Sequence, residues 1–240
     1  MSLPGYPALL NHTCQPPSRL SLRSVLSFVF VACLCLSLHV VAFEIDAQII
    51  KQVSERFGDK AASRLRFWQK TVLDAKNNTE AEQLEIVNRF FNQVRFLSDQ
   101  EHWQREDYWA TPLELLATNG GDCEDYSIAK YFTLRRLGIP SDKLRITYVK
   151  ALRQNQAHMV LAYYPTPTAQ PLILDNLDRR IRPAAERKDL LPVYAFNNHG
   201  IFLARTPQQK SRQSPQLLSR WSDVSARTLA EQARRLDDRG

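Results

Sequence analysis

One cysteine, Cys123, stands in the stretch from Gly120 to Phe132, GGDCEDYSIAKYF, with Asp122 and Glu124 on either side and Asp125 next. A thiol attacks carbonyl carbon as the thiolate, and neighbouring negative charge makes the thiolate harder to form. Cysteine also serves as a small buried apolar residue, but this acidic setting suits that role poorly. A nucleophilic thiolate needs a base to take its proton and a third group to hold the base. Beyond residue 42 the chain offers His102, His158 and His199. His199 lies in a tight turn and His102 in a charged loop, where structural or solvated roles are expected. His158 opens an apolar strand, in NQAHMVLAYY, and Asp175 closes the next one, in LILDNL. A carboxylate closing such a strand is either a loop solvator or a placed partner for a neighbouring group.

The order Cys, His, Asp, carried by a helix N-terminus and two strands, fits acyl transfer through a thioester. Unsatisfied backbone N–H groups at the helix start can stabilise the oxyanion. Trp103, Gln104 and Asn119 are unranked candidates for a side-chain donor. Hydrolysis and transglutamination share these residues and differ only in whether water or a lysine amine resolves the acyl-enzyme. A binding module without catalysis would not need the set. A zinc site lacks the paired-ligand spacings that such sites show.

The elements that must position these residues follow from periodicity. From Glu44 to about Gln104, RLRFWQKTVLDA and EAEQLEIVNRFFNQVRFL repeat apolar residues at spacings of three and four, which predicts packing helices. LELLATNGG is a short helix closed by glycine. Asp122 then opens a helix, with Asp125 at capping-box distance, that Gly138 and Pro140 end. Its mostly apolar surface predicts burial in the centre of the domain.

After Pro140 the period becomes that of strands. KLRITYVKAL and AHMVLAYYP form a hairpin around residues 153–156, PLILDNL is a third strand, and LPVYAFN with GIFLAR is a second hairpin turned at residues 198–200. The fold class is α+β, helices first and sheet second.

Residues 1–42 carry Arg19 and Arg23, no acid, and the apolar run Val25 to Phe43. They are expected to be a signal peptide, cut after Ala42, or a membrane anchor. The domain is expected over residues 43–205. A polar tail, residues 206–240, follows, forming one amphipathic helix or staying mobile. The formal charge of +7, or +5 without the leader's two arginines, is spread without a basic and aromatic array, which argues against a nucleic-acid site. Three of the four cysteines fall in the leader, so Cys123 has no disulfide partner in the body of an exported chain.

Together GGDCEDYSIAKYFTLRRLGIP, AHMVLAYY and LILDN resemble the bacterial transglutaminase-like cysteine peptidases of the LapG type, over roughly Phe67 to Leu203. The resemblance implies a papain/transglutaminase-like core, with N-terminal helices and a central helix bearing the cysteine packed on an antiparallel sheet. It implies Cys123 as nucleophile, His158 as general base and acid, and Asp175 as the group orienting His158. It further implies a periplasmic, calcium-dependent endopeptidase that cleaves a large surface adhesin near its N-terminus at an alanine pair and so disperses biofilm. An inner-membrane cyclic-di-GMP receptor is the implied inhibitor. Asp122 and Glu124 are the implied calcium ligands, with Asp125 a third ligand or the capping partner. Calcium would also resolve the opening conflict, because a hard dication takes carboxylate oxygens and offsets their charge.

Overall fold

The computed structural model describes residues 44–203, 210–211 and 215–237. The apolar leader lies outside the described residues. Helices α1 (Ala47–Phe57), α2 (Asp59–Ala75) and α3 (Glu80–Phe91) come first, followed by strand β1 (Arg95–Phe96) and one turn of helix, α4 (Asp99–His102). Then come α5 (Pro112–Thr118), β2 (Gly120–Gly121) and α6 (Cys123–Arg136). Strands β3 (Leu144–Ala151), β4 (Gln156–Tyr163), β5 (Leu172–Leu174), β6 (Arg182–Pro183), β7 (Leu190–Asn197), β8 (Gly200–Leu203) and β9 (Lys210–Ser211) form one sheet, and α7 (Pro215–Asp237) closes the order. The fold class is α+β, as expected.

Two local departures from the periodicity have physical causes. The helical pattern that runs on to Leu97 stops at Phe91, where Asn92 turns its amide to donate to the Asp175 carbonyl at 2.8 Å. Arg95–Phe96 then pairs in parallel with Gly120–Gly121. The short helix before the cysteine is closed by Asn119, whose φ of 57° and ψ of 40° are left-handed, and not by glycine. Asparagine tolerates that region because its short polar side chain bonds locally. The two glycines are needed instead for close approach. A Cβ at Gly121 would lie 2.5 Å from Asp125 Oδ2 and 2.6 Å from Leu115 Cδ1.

The large sheet runs β6-β5-β4-β3-β7-β8-β9, every neighbouring pair antiparallel. The β3–β4 hairpin turns at Asn155, whose φ of 53° relieves the tight reversal, and the β7–β8 hairpin turns before Gly200. Helix α6 packs against α3 and α5 on one side and β4 and β3 on the other. Ile128, Ala129, Tyr131 and Leu134 on it are fully buried. The alternation of β4 divides its side chains between two clusters. Met159, Leu161 and Tyr163 join the core around α6, while Val160 and Ala162 join Val149, Tyr164 and Ile173 in a second cluster.

Helix α7 belongs to the domain, although the sequence expectation ended the domain at residue 205. Its Trp221 is buried, stacked on Phe132 at 5.5 Å and edge-on to Tyr131 and Phe196. The amphipathic pattern was visible, but a single tryptophan does not announce its partner. Truncating a core tryptophan to alanine costs about 3–5 kcal/mol. Trp221→Ala should therefore lower urea-unfolding stability by about that amount; a loss under about 1 kcal/mol would mean that α7 does not dock in solution.

Candidate active site

Cys123 is the first residue of α6, partly buried, and its Sγ donates to Glu124 Oε2 at 3.1 Å. The sulfur also accepts the backbone N–H of Met159, so it lies beside the residue that follows His158. His158 Nε2 is 2.8 Å from Asp175 Oδ1, both side chains being buried. The Asp175 bond occupies Nε2, which leaves Nδ1 as the ring nitrogen able to take a proton from a thiol. The structure thus brings His158 and Asp175 into contact and Cys123 next to the strand that carries His158, with the thiol bonded to Glu124 and not to His158. Bonds between catalytic groups commonly tighten only when substrate binds.

Asp175 is held from several sides. Oδ1 also accepts the N–H of Leu177 at 3.0 Å, and Oδ2 accepts Arg187 Nη2 at 2.7 Å. Burial alone would raise its pKa, but the His158 bond and charge, the Leu177 N–H and Arg187 hold it at about 2. Arg187 is itself buried, and Asp189 takes its Nε at 3.0 Å and its Nη2 at 2.9 Å. Lys130, seven residues along α6 from the cysteine, is fully buried; burial lowers its pKa to about 7 while the charge of Asp175 pulls it upward. Neither Arg187 nor Lys130 is singled out by the sequence, because one lies in an ordinary charged loop and the other in a helix that carries lysine without comment.

At the thiol the electrostatics are opposite. Burial raises the pKa of Cys123 well above its ordinary value, and the charges of Glu124 and Asp122 raise it further. Asp122, Glu124 and Asp125 are all pushed upward, by burial first and by neighbouring carboxylates next. Asp125 uses both oxygens on backbone: Oδ1 accepts Ala110 N–H at 2.7 Å and Oδ2 accepts Asp122 N–H at 3.2 Å. That completes the capping half expected of it and ties the loop before α5 to the start of α6.

The structure adds Asp99 and Asp107 to the acidic residues. Carboxylate oxygens of Asp99, Asp107 and Glu124 lie within 4.8 Å of one another, as do those of Asp99, Asp122 and Asp125. Oδ1 of Asp99 and Oδ1 of Asp122 are buried without a hydrogen-bond partner among the described residues. The sequence disguised Asp99 inside the SDQE stretch, where Ser98 and Glu101 form a capping box and the aspartate passes as a helix-start acid.

Helix α7 clasps this loop. Arg220 pairs with Asp107 at 2.7 Å, while Arg227 donates to Glu114 at 2.7 Å and to the Trp109 carbonyl at 2.6 Å. Thr111 Oγ1 donates to Glu231 at 2.7 Å. Of the other histidines, His102 bonds Thr118 at 2.9 Å and His199 bonds Ser141 at 2.7 Å, so both have structural partners. Among the proposed oxyanion donors, Trp103 Nε1 is buried without a hydrogen-bond partner among the described residues, and Gln104 has a φ of 54°.

The family described as bacterial transglutaminase-like cysteine proteinase, BTLCP, matches residues 57–189. The chain belongs to that family. Its fold superposes on the calcium-bound LapG of Legionella pneumophila with a TM-score of 0.67 and 42% identity, covering 76% of this chain and 99% of that one. The EGTA-treated form of the same LapG gives 0.66 and 43%, covering 75% and 96%. Comparison with the curated proteins returned no match. As a family member the protein is a cysteine protease, and the helix terminus, hairpin and following strand described above all fall within the matched residues.

The carboxyl of Asp175 carries a stability signature. Its folded value of about 2 lies below the ordinary 3.8, so it stabilises the fold above pH 4 and loses that contribution as pH falls from about 4 to 2. The shift is worth roughly 2 kcal/mol. Urea unfolding between pH 4.5 and 2.5 should show a steeper loss for the wild type than for Asp175→Asn; parallel curves would mean that Asp175 gains nothing from His158 and Arg187.

Proposed function

We propose that this cysteine protease is a calcium-dependent periplasmic endopeptidase that uses Cys123, His158 and Asp175. Its proposed substrate is a large surface adhesin, cut near the N-terminus at an alanine pair so that the adhesin is released and biofilm disperses. Its proposed inhibitor is an inner-membrane cyclic-di-GMP receptor. The observation that carries the catalytic part is the buried His158–Asp175 bond at 2.8 Å, with His158 on the strand whose Met159 N–H meets the Cys123 sulfur. The substrate and inhibitor rest on the resemblance to the LapG type.

In this mechanism Asp175 fixes the ring of His158 with Nε2–H toward Oδ1, so that Nδ1 accepts the Cys123 proton. The sulfur then attacks the scissile carbonyl, and backbone N–H groups at the start of α6 face the oxyanion. Nδ1–H gives its proton to the departing amine. His158 next removes a proton from water, whose oxygen attacks the thioester and frees Cys123. Asp175 stays ionised throughout, because its pKa is held near 2.

The acidic residues fit calcium. The ion takes six to eight oxygens, with carboxylates prominent among them, and the buried unpartnered oxygens of Asp99 and Asp122 lack any other match. Asp99, Asp107, Asp122 and Glu124 would hold it, with Asp125 shaping the loop through its two backbone bonds. When bound, calcium supplies positive charge that offsets the carboxylates which now raise the thiol's pKa. LapG of Legionella pneumophila has been obtained both calcium-bound and EGTA-treated.

Three outcomes test the reading. Cys123→Ala should abolish cleavage of an adhesin fragment containing an alanine pair while leaving the unfolding midpoint near wild type, and cleavage by the folded variant would exclude the nucleophile. Asp175→Asn should lower kcat by more than about tenfold with little change in KM, because the lost interaction holds the base and does not touch substrate. Asp99→Asn and Glu124→Gln should each weaken calcium binding by about tenfold or more in titration calorimetry, and excess chelator should stop cleavage reversibly. Wild-type affinity in both variants would remove calcium from this cluster.

A further inference from the structure

The face of the sheet turned away from α6 carries a cavity of about 250 Å³. Val149, Val160, Ala162 and Ile173 form its apolar floor. Arg145 and Arg187 border it, and no carboxylate does among the described residues that line it. The Arg145 guanidinium lies between the rings of Tyr164 at 4.4 Å and Phe202 at 4.1 Å. Arg187 is 3% exposed, its Nε and Nη2 are engaged by Asp189 and Asp175, and its Nη1 is buried with no hydrogen-bond partner among the described residues.

A buried N–H of a charged group without an acceptor is costly, and the missing acceptor here must sit against hydrocarbon. The volume falls just under the roughly 300–1,000 Å³ of drug-sized sites, which limits the occupant to something smaller. Arg187 already shares its charge with two aspartates, so a monoanion suits the site better than a dianion. A planar carboxylate matches the guanidinium fork in geometry as well as charge. We propose that this cavity binds a small amphipathic carboxylate, its apolar body on the Val149–Val160–Ala162–Ile173 floor and its oxygens at Arg187 Nη1.

Arg187 Nη2 holds Asp175, so an acid on Nη1 draws on the same guanidinium that steadies the His158–Asp175 pair. The cavity is therefore linked to that pair through one side chain. The binding claim does not depend on the proposed proteolysis and is read without turnover.

The test titrates the full chain with 4-phenylbutanoate and, separately, with the neutral isostere 4-phenylbutan-1-ol, following binding by calorimetry and the His158 ring by NMR. The acid should bind saturably and at least about tenfold more tightly than the alcohol, a difference of about 1.4 kcal/mol. The His158 ring signals should move along the same saturation curve. Ala162→Phe and Ala195→Phe, which fill the cavity from the strands on either side of β3, should each weaken the acid by at least tenfold. No saturable binding in the wild type would overturn the site, leaving a cavity that holds only water. Equal affinity for acid and alcohol would overturn the role of Arg187. Unchanged acid binding in a folded cavity-filling variant would place the acid elsewhere, and a stationary His158 ring on saturation would overturn the link to the pair.

Discussion

Five carboxylates, from Asp99, Asp107, Asp122, Glu124 and Asp125, converge where one buried helix begins. Keeping them there demands support from every direction. Asp125 ties the backbone of Ala110 to that of Asp122, and the bare Cα of Gly121 admits its carboxylate where a Cβ would collide. Arg220 on α7 takes Asp107, and the same helix fixes the neighbouring loop through Arg227 and Glu231. The aromatic packing of Trp221 anchors α7 for that task. Pieces of chain more than a hundred residues apart are thus held together around a concentration of like charge.

Across α6 the same residue type meets the reverse environment. Asp175 is as buried as Asp125, yet its carboxyl is held low while that of Asp125 is driven high. The difference lies in partners: His158, Arg187 and the charge of Lys130 surround one, and further carboxylates surround the other. Environments that push the pKa values of like groups apart mark acid and base roles in a site. Here the ionised Asp175 can support a charged imidazolium, and the acidic cluster opposes a charged thiolate.

Much of this was legible in the sequence. The change of period after Pro140 separates helices from strands because side-chain alternation is a local property. Cys123, His158 and Asp175 stood out because each punctuates an element: a helix start, a strand start and a strand end. Asp99 and Asp107 did not, since they reach the cluster through a loop whose path is set by Tyr108, whose N–H bonds Asp99, and by α7. Arg187 was equally hidden, because a loop arginine looks solvated until the fold buries it against Asp175. The end of α3 at Phe91 was missed for a related reason. Asn92 leaves the helix to meet a carbonyl eighty-three residues away, and periodicity carries no trace of such a partner.

Magnitudes decide what the acidic cluster means for the thiol. A helix N-terminus presents about half a positive charge, worth roughly 0.3–1 kcal/mol to one nearby anion. When ionised, Asp122, Glu124 and Asp125 together carry several times that charge in the opposite sense, and burial strengthens every interaction among them. The dipole of α6 therefore cannot by itself make Cys123 acidic. The thiol donates to Glu124 Oε2 at 3.1 Å and so points its proton away from His158. A doubly charged ion on these oxygens would supply about four times the charge of the helix terminus and remove the acceptor that holds the thiol proton. Under the proposed calcium binding, acid crowding beside a nucleophile, which looks like an error in a site built for thiolate chemistry, would make the nucleophile's readiness depend on the ion.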